Sequence, residues 1–319
     1  MKKKKKIYKI VSRNVFSRHI LLDDDMWEYT LKTFDRDYDS VNDFKNFLNE
    51  FKEQYGDDTS LFFKDYYNFI EKMCEIIRGV NLNNDIVDAL TEEVKEFSQI
   101  GNYLEGGRKY FSIDINSAFD QLIDKHGNLN EPIQTIRERI CNKALINNRK
   151  NVRIVSGYTT NTDYLYTFIN VMSWRIYNSE HFLLKKMREI GAPLVKVMLD
   201  ELIFDITDVD EDLTKLIGEY NIEGYRVHTT MFKEHHIYYK DYGDIPHCFI
   251  IKEMNNGKIN YVSRKCPHFL QIYKKFNNEE INDRDLRVES VDVAKSYFQF
   301  DKPITFITEE EFMGMIEKK

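Results

Sequence analysis

Two short apolar segments that carry carboxylates constrain the fold of this 319-residue chain more than any other feature. Residues 110–115 (YFSIDI) are a strand-like run that contains Asp114, and residues 195–206 (VKVMLDELIFDI) are two apolar runs separated by Asp200 and Glu201. Short apolar runs are typical of buried strands, and polar residues between two such runs indicate a hairpin. The sequence therefore predicts strands that can bring carboxylates to one place in a sheet.

Carboxylates on neighbouring strands are suited to a two-metal phosphoryl-transfer site. Mg²⁺ prefers oxygen ligands and is bound in proteins by one or two carboxylates together with substrate phosphates. Two such ions, about 4 Å apart, can hold both the attacking and the leaving oxygen of a displacement. We predict that Asp114 and Asp200 are catalytic and bind two Mg²⁺ (or Mn²⁺) ions, with Glu201 as a further ligand or a support.

Composition limits the partners and the setting that we expect. The net charge of −7 argues against a uniformly basic coat for nucleic acid, although it is compatible with a local basic groove. The four cysteines lack the spacing of a disulfide scaffold, so we expect a reducing, cytoplasmic environment. The basic residues 2–6 are followed by no signal-peptide core and no long apolar span, so we expect no membrane partner.

Hydrophobic periodicity predicts a mostly helical first hundred residues and a strand-rich last hundred. The turn at residues 255–257 (NNG) indicates a hairpin within the strand-rich part. We expect a strand over residues 7–22 and helices over residues 40–56, 61–77, 85–100, 119–125, 132–148 and 162–190.

The helix predicted from Pro132 carries a second candidate feature. Lys143 and Asn147 are four residues apart and therefore lie on one helical face. Lys143 could meet a phosphate while Asn147 lines a nucleotide pocket. Arg137 and Arg139 could add positive charge one or two turns earlier. An ordinary basic helix surface explains the same pattern.

These segments together resemble family B DNA polymerases, most closely the protein-primed type of phages. The resemblance is carried by residues 103–107 (YLEGG), 114–119 (DINSAF), 143–147 (KALIN), 198–201 (MLDE) and 240–242 (KDY). It covers about residues 103–280, and no single motif is complete. The family has two aspartates in its hairpin motif, and only the second is retained here.

The resemblance implies roles for individual residues. Phe119 would lie under the sugar, where it would exclude a 2′-hydroxyl, and the backbone at Ser117 would follow the triphosphate. The nucleotide-binding set would be Ser117, Phe119, Arg139, Lys143 and Asn147. The primer- and template-binding set would be Tyr103, Gly106, Gly107, Lys240 and Tyr242.

The expected fold is α+β, with an antiparallel polymerase-like palm sheet flanked by helices. We expect a helical N-terminal region over residues 1–102, a palm with reduced fingers over 103–224, and a thumb-like region over 225–319. The N-terminal region is too short and too helical for a proofreading exonuclease. The span between Asp114 and Lys143 is too short for complete fingers.

The expected function is therefore template-directed nucleotidyl transfer on primer–template DNA with deoxynucleotides, without proofreading. A partner protein could complete the fingers or provide the primer. One alternative is a non-catalytic palm-like subunit that binds nucleic acid. A second is an enzyme like the RNA-dependent RNA polymerases, in which Asp114, Asp120, an asparagine such as Asn161 or Asn170, and the acidic pair would form the site.

Overall fold

The structure is a computed structural model that describes residues 24–33, 46, 49–50, 52–56, 59–101, 103–141, 162–240, 244–261, 269–285 and 304–317. The helices are α1 (Asp24–Thr33), α2 (Thr59–Arg78), α3 (Asn84–Asp88), α4 (Glu92–Phe97), α5 (Ala118–His126), α6 (Ile133–Ile140), α7 (Thr162–Tyr177), α8 (Phe182–Glu189), α9 (Phe269–Phe276) and α10 (Glu309–Ile316). The strands are β1 (Lys109–Ile115), β2 (Leu194–Met198), β3 (Glu201–Asp205), β4 (Gly218–Ile222), β5 (Tyr225–Lys240), β6 (Pro246–Met254), β7 (Ile259–Tyr261) and β8 (Thr305–Phe306).

The described strands form one open antiparallel sheet, which confirms the predicted α+β class. The strand order is β2-β3-β1-β5-β6-β7, and β4 and β8 also pair with β5. None of the described helices is long and apolar enough to cross a membrane.

The chain divides into two compact units. The first unit comprises residues 47–104 and 109–231, and the second comprises residues 1–46, 105–108 and 232–319. Strand β5 begins in the first unit and ends in the second. The boundaries predicted from sequence, after residues 102 and 224, differ from these divisions, so the predicted functional domains stay a prediction.

In the first unit, β1 and β3 are the buried strands of the sheet. Their register runs from Tyr110 opposite Asp205 to Asp114 opposite Glu201. Helix α7 packs on β3 and on α5. The core between sheet and helices is built from fully buried apolar side chains, among them Phe111, Ile113, Leu202, Ile203, Ile169 and Met172.

In the second unit, β5 pairs with β6 from Phe232 opposite Met254 to Lys240 opposite Pro246. The predicted hairpin turn is confirmed, since Gly257 joins β6 to β7 with a left-handed φ of 76°. The apolar core of this unit contains Ile237, Tyr239, Phe249, Ile251, Ile259, Leu270 and Ile272.

Helix prediction was accurate where no capping side chain divides a predicted helix. The helices predicted over residues 61–77 and 119–125 are confirmed as α2 and α5. The prediction over residues 85–100 was wrong in extent, because α3 ends at Asp88 and a separate helix, α4, begins after Thr91. The Thr91 hydroxyl caps α4 by accepting a hydrogen bond from the Val94 amide. The strand predicted over residues 7–22 and most of the helix over 40–56 lie outside the described residues.

The single helix predicted over residues 162–190 was also wrong, because two helices, α7 and α8, occupy this span. The His181 imidazole accepts a hydrogen bond from the Leu183 amide and caps α8. Arg188 donates to the Ser179 carbonyl at 2.6 Å and holds the connection. No glycine or proline marks this break, so apolar periodicity alone does not reveal it.

Candidate active site

Pairing of β1 with β3 brings the predicted carboxylates together. Asp114 lies directly opposite Glu201 in the antiparallel register. The Ile115 amide donates to the Asp200 carbonyl at 2.8 Å, which extends the pairing into the turn before β3. Directly opposed residues have Cβ atoms about 4.5–5.5 Å apart and point to the same face. Asp114 and Glu201 are therefore neighbours on one side of the sheet.

The turn between β2 and β3 holds Asp200 beside this pair. Leu199 has a φ of 55°, a left-handed conformation that costs about 1 kcal/mol or more in a residue other than glycine. The Ser173 hydroxyl on α7 donates to the Leu199 carbonyl at 2.5 Å and stabilises this backbone. Helix α7 thus fixes the turn that presents Asp200.

Glu201 is oriented by a neighbour on β1. The hydroxyl of Ser112, which is 1% exposed, donates to Glu201 Oε1 at 2.6 Å. Ser112 and Asp114 are two residues apart on one strand and therefore face the same side of the sheet. This contact leaves Oε2 of Glu201 as the second oxygen with which the carboxylate can bind a ligand.

The carboxylates line an open cleft of about 630 Å³ in the first unit. Its size falls within the range of small-molecule sites. The side of β2 is closed by the segment after α4, where the Val197 amide donates to the Ile100 carbonyl at 3.0 Å. The residues that line the cleft are Ser98, Ser112, Asp114, Asn170, Val197, Met198, Leu199, Asp200, Glu201, His228 and Thr230.

Strand β5 lies next to β1, on the side away from β3. The Asn116 amide donates to the Arg226 carbonyl at 2.9 Å, and β1 and β5 are adjacent in the antiparallel sheet. Moving two residues along each strand from this bond places His228 opposite Asp114. Gln121 on α5 fixes the same point, since it donates to the Arg226 carbonyl at 2.9 Å and accepts from its amide at 2.7 Å.

The chemistry of the cleft fits a divalent cation held partly by substrate. Within the described residues, no group of three or more His, Cys, Asp or Glu side chains is arranged to hold a metal ion. Mg²⁺ does not require such a group, because one or two carboxylates with substrate phosphates and water complete its coordination. Asp114, Asp200 and Glu201 provide oxygen donors of the required kind.

The predicted sugar-contacting segment begins α5. Ser117 precedes the helix with a left-handed φ of 50°, and Phe119 lies in its first turn. The Phe119 ring packs edge-on against Tyr166 of α7 with the ring centroids 5.4 Å apart. Neither Ser117 nor Phe119 is among the residues that line the cleft.

The helix predicted over residues 132–148 was wrong in extent, because α6 ends at Ile140 and Cys141 after it is extended, with a φ of −146° and a ψ of 114°. The basic residues predicted on this helix are only partly described. Arg139 is exposed on α6 and forms an ion pair with Glu131. Lys143 and Asn147 lie outside the described residues. Arg137, which was also expected to add positive charge to this surface, is instead buried: its side chain is 4% exposed and binds both oxygens of Asp120 at 2.5 and 2.8 Å.

The residues predicted to contact primer and template belong to both units. Tyr103, in the first unit, is 88% exposed. In the second unit, Gly107 donates its amide to the Glu234 carbonyl at 2.6 Å. A Cβ at Gly106 would lie 2.9 Å from the His236 Cβ, so this site requires glycine.

Lys240, also in the second unit, forms an ion pair with Asp244 at 3.2 Å. Tyr242 lies outside the described residues.

Sequence analysis assigned no site role to several polar residues of the cleft, namely Ser98, Ser112, His228 and Thr230. The available signal was weak: His228 and Thr230 occupy alternate positions of a strand whose other positions, Val227 and Thr229, are buried. Alternation shows which residues of a strand share one face, but it does not show which strand pairs with it or in what register. Asn170 was considered only within the RNA-polymerase alternative.

No protein-family model, no curated protein and no solved structure matches this chain. The resemblance to family B DNA polymerases therefore rests on the quoted motifs alone. The cleft must be interpreted from its own chemistry.

Proposed function

We propose that this chain catalyses template-directed nucleotidyl transfer to a primer 3′ end, in the manner of a DNA polymerase without proofreading. The observation that carries the proposal is the β1–β3 register. It sets Asp114 opposite Glu201, beside the turn that contains Asp200, and all three line one cleft. A shared position for carboxylates from two strands is the arrangement that such chemistry requires.

Asp114 and Asp200 would hold the metal ions, and Glu201 would complete or support the set. When bound, two Mg²⁺ ions favour ionisation of the attacking hydroxyl and neutralise charge on the pyrophosphate leaving group. The chain itself positions the donors. Ser112 orients Glu201 through its 2.6 Å hydrogen bond, and Ser173 stabilises the turn that contains Asp200.

Deoxynucleotide and primer–template DNA are the proposed substrates. Phe119 would act as the steric gate against a 2′-hydroxyl, and its contact with Tyr166 would keep the ring in place. Helix α6 ends at Ile140 and is one short helix of eight residues rather than a helical hairpin. We therefore expect weak nucleotide affinity and low fidelity, unless a partner protein completes the pocket.

The RNA-polymerase alternative is less well supported. It requires Asp120 to recognise a 2′-hydroxyl, but both oxygens of Asp120 bind the buried guanidinium of Arg137. Asn170 favours this alternative, since it lines the cleft with Asp114.

A non-catalytic nucleic-acid-binding role is favoured by a different observation. Met198 stands where the resembled family has its first hairpin aspartate, and it lines the cleft with 44% of its surface exposed. A methionine cannot ligate Mg²⁺, because this ion selects oxygen donors.

Primer extension distinguishes these roles in one experiment. A labelled primer on a DNA template would be incubated with the chain, deoxynucleotides and Mg²⁺ or Mn²⁺, with EDTA as the control and ribonucleotides in a parallel reaction. We expect metal-dependent extension with deoxynucleotides. Template binding without extension in either metal would leave the non-catalytic role, and preference for ribonucleotides would favour the RNA-polymerase alternative.

A further inference from the structure

We propose that His228 binds a phosphate group of the incoming nucleotide. This inference rests on the proposed function. It adds a residue that binds the nucleotide and to which the sequence motifs assign no role. Its starting point is the position of His228 on β5, opposite Asp114 of β1 and lining the same cleft.

The donors of the cleft give the first argument. None of the described residues that line the cleft is a lysine or an arginine. A phosphate in this part of the cleft would therefore bind to neutral hydrogen-bond donors, or to a cation held by the carboxylates. His228 offers such a donor, because a neutral imidazole has one ring N–H.

Geometry gives the second argument. Directly opposed residues on antiparallel strands have Cβ atoms about 4.5–5.5 Å apart, so the His228 ring can reach the space above Asp114. A phosphate that shares a cation with Asp114 would occupy this space. The His228 side chain makes no hydrogen bond with another described residue, and its ring N–H can donate to a phosphate oxygen.

The position of His228 is well supported by its surroundings. Val227 and Thr229, on either side, are buried, and the Thr229 hydroxyl donates to the Leu216 carbonyl at 2.6 Å. The Gln121 side chain holds the backbone of Arg226 with two hydrogen bonds. A ligand-binding side chain on a rigid strand loses little freedom on binding, which favours a specific contact.

The test uses two substitutions of His228 and one control. His228→Leu removes the ring donors at similar volume, and His228→Gln keeps a neutral donor. Arg226→Gln is the matched control, because Arg226 is an exposed cation two residues away on the same strand and does not line the cleft. Thermal unfolding and circular dichroism would verify that each variant is folded.

Two measurements would be made on the full chain. The first is the dissociation constant of Mg²⁺–deoxynucleoside triphosphate without primer, by titration calorimetry. The second is the KM and kcat of primer extension. We expect His228→Leu to raise both Kd and KM up to about tenfold with little change in kcat, since one hydrogen bond to the phosphate is lost. His228→Gln should be intermediate, and Arg226→Gln should resemble wild type.

The outcomes separate this inference from the proposed function. Equal Kd values for wild type and His228→Leu, or an equal loss with Arg226→Gln, would overturn the assignment of His228 while extension activity could persist. Absence of any extension by wild type, together with a tenfold weaker Kd in His228→Leu, would overturn the polymerase proposal and retain His228 as a phosphate ligand. Wild type that binds no nucleotide would overturn the inference directly.

Discussion

The acidic cleft of the first unit and a polar cluster in the second unit use titratable side chains in opposite ways. We define the β5–β6 cluster as Glu234, His236, Tyr238 and Cys248. In this cluster the His236 ring bonds Glu234 at 2.7 Å and Tyr238 at 3.2 Å, and the Glu234 and His236 side chains are 6% and 11% exposed. Glu234, His236 and Tyr238 therefore have hydrogen-bond partners within the cluster.

Burial also suppresses ionisation in the β5–β6 cluster. It raises the pKa of the Cys248 thiol to about 11, with help from the nearby Glu309 and Glu234 carboxylates. Burial and a hydrogen bond with Glu309 raise the pKa of Tyr238 as well. Cys248 therefore remains a thiol at neutral pH, and a thiol is a poor nucleophile.

The cleft differs because carboxylates from two strands face one open space. Asp114 and Glu201 are directly opposed across β1 and β3, and both line the cleft with Asp200. A cation in this cleft can contact carboxylate oxygens from both strands. The comparison teaches that the number of titratable groups does not identify a site, whereas their convergence on a cleft that a ligand can enter indicates one.

The largest expected effect is the loss of activity when Asp114 or Asp200 is substituted. Asp114→Asn should lower primer extension about a thousandfold, because metal stabilisation of the transition state contributes several kcal/mol. Asp200→Asn should have a similar effect. The matched control is Asp208→Asn, since Asp208 is an exposed carboxylate on the turn after β3 and is not part of the cleft. Comparable losses in all three variants would contradict the assignment.

The next largest effect is expected on stability in the second unit. Glu234→Leu should lower the free energy of unfolding by about 2–3 kcal/mol, because it leaves the His236 ring without its carboxylate partner. Urea unfolding would measure this loss. Glu253→Gln is the control, since this carboxylate is 40% exposed and its contact with His235 should contribute less than about 1 kcal/mol. Primer extension by folded Glu234→Leu should stay near the wild-type rate, and a thousandfold loss there would remove the distinction between the two regions.

The sugar gate is expected to have a smaller effect. Phe119→Ala should relax the preference for deoxynucleotides about tenfold, since it removes the ring that would exclude a 2′-hydroxyl, a pocket effect of about 1–2 kcal/mol. The ratio of kcat/KM for deoxy- and ribonucleotides measures this preference. Tyr166→Phe keeps the ring contact with Phe119 and should retain the wild-type ratio. An unchanged ratio in Phe119→Ala would exclude this residue as the gate.

The smallest expected effect is the stabilisation by metal. Added Mg²⁺ at a few times its Kd should raise the free energy of unfolding of wild type by about 1 kcal/mol, since a ligand stabilises the state that binds it. Asp114→Asn should be stabilised less, because it lacks one of the carboxylates that would bind the ion. Thermal unfolding with and without Mg²⁺ measures the difference, and equal stabilisation of the two proteins would contradict Asp114 as a metal ligand.

The parts of the fold that depend on local pattern were predictable from sequence. The strand with Asp114, helix α5 and the hairpin around Asp200 follow from short apolar runs and polar turns. The break between α7 and α8 was not predictable, because it depends on Arg188 reaching the Ser179 carbonyl and carries no glycine or proline.

The site was predictable only in its acidic residues. Asp114 and Asp200 lie at or near the ends of short apolar runs, so the sequence pattern identifies them as candidates. The neighbours of these carboxylates depend on which strands are adjacent and on their register. The hydrophobic periodicity of a sequence gives neither the strand order nor the register. Ser112 lies in the middle of a buried strand, and its contact with Glu201 spans 89 positions of sequence. His228 becomes a neighbour of Asp114 only through the pairing of β1 with β5.

The most direct test of the central claim is the position of bound metal. Crystals of the chain would be soaked with Mn²⁺ and a non-hydrolysable deoxynucleoside triphosphate, and anomalous diffraction would locate the ions. We predict Mn²⁺ about 2.0–2.3 Å from carboxylate oxygens of Asp114 and Asp200, with a second ion about 3.5–4 Å away beside the phosphates. Ordered nucleotide with Mn²⁺ bound elsewhere, and none at Asp114 or Asp200, would contradict the claim.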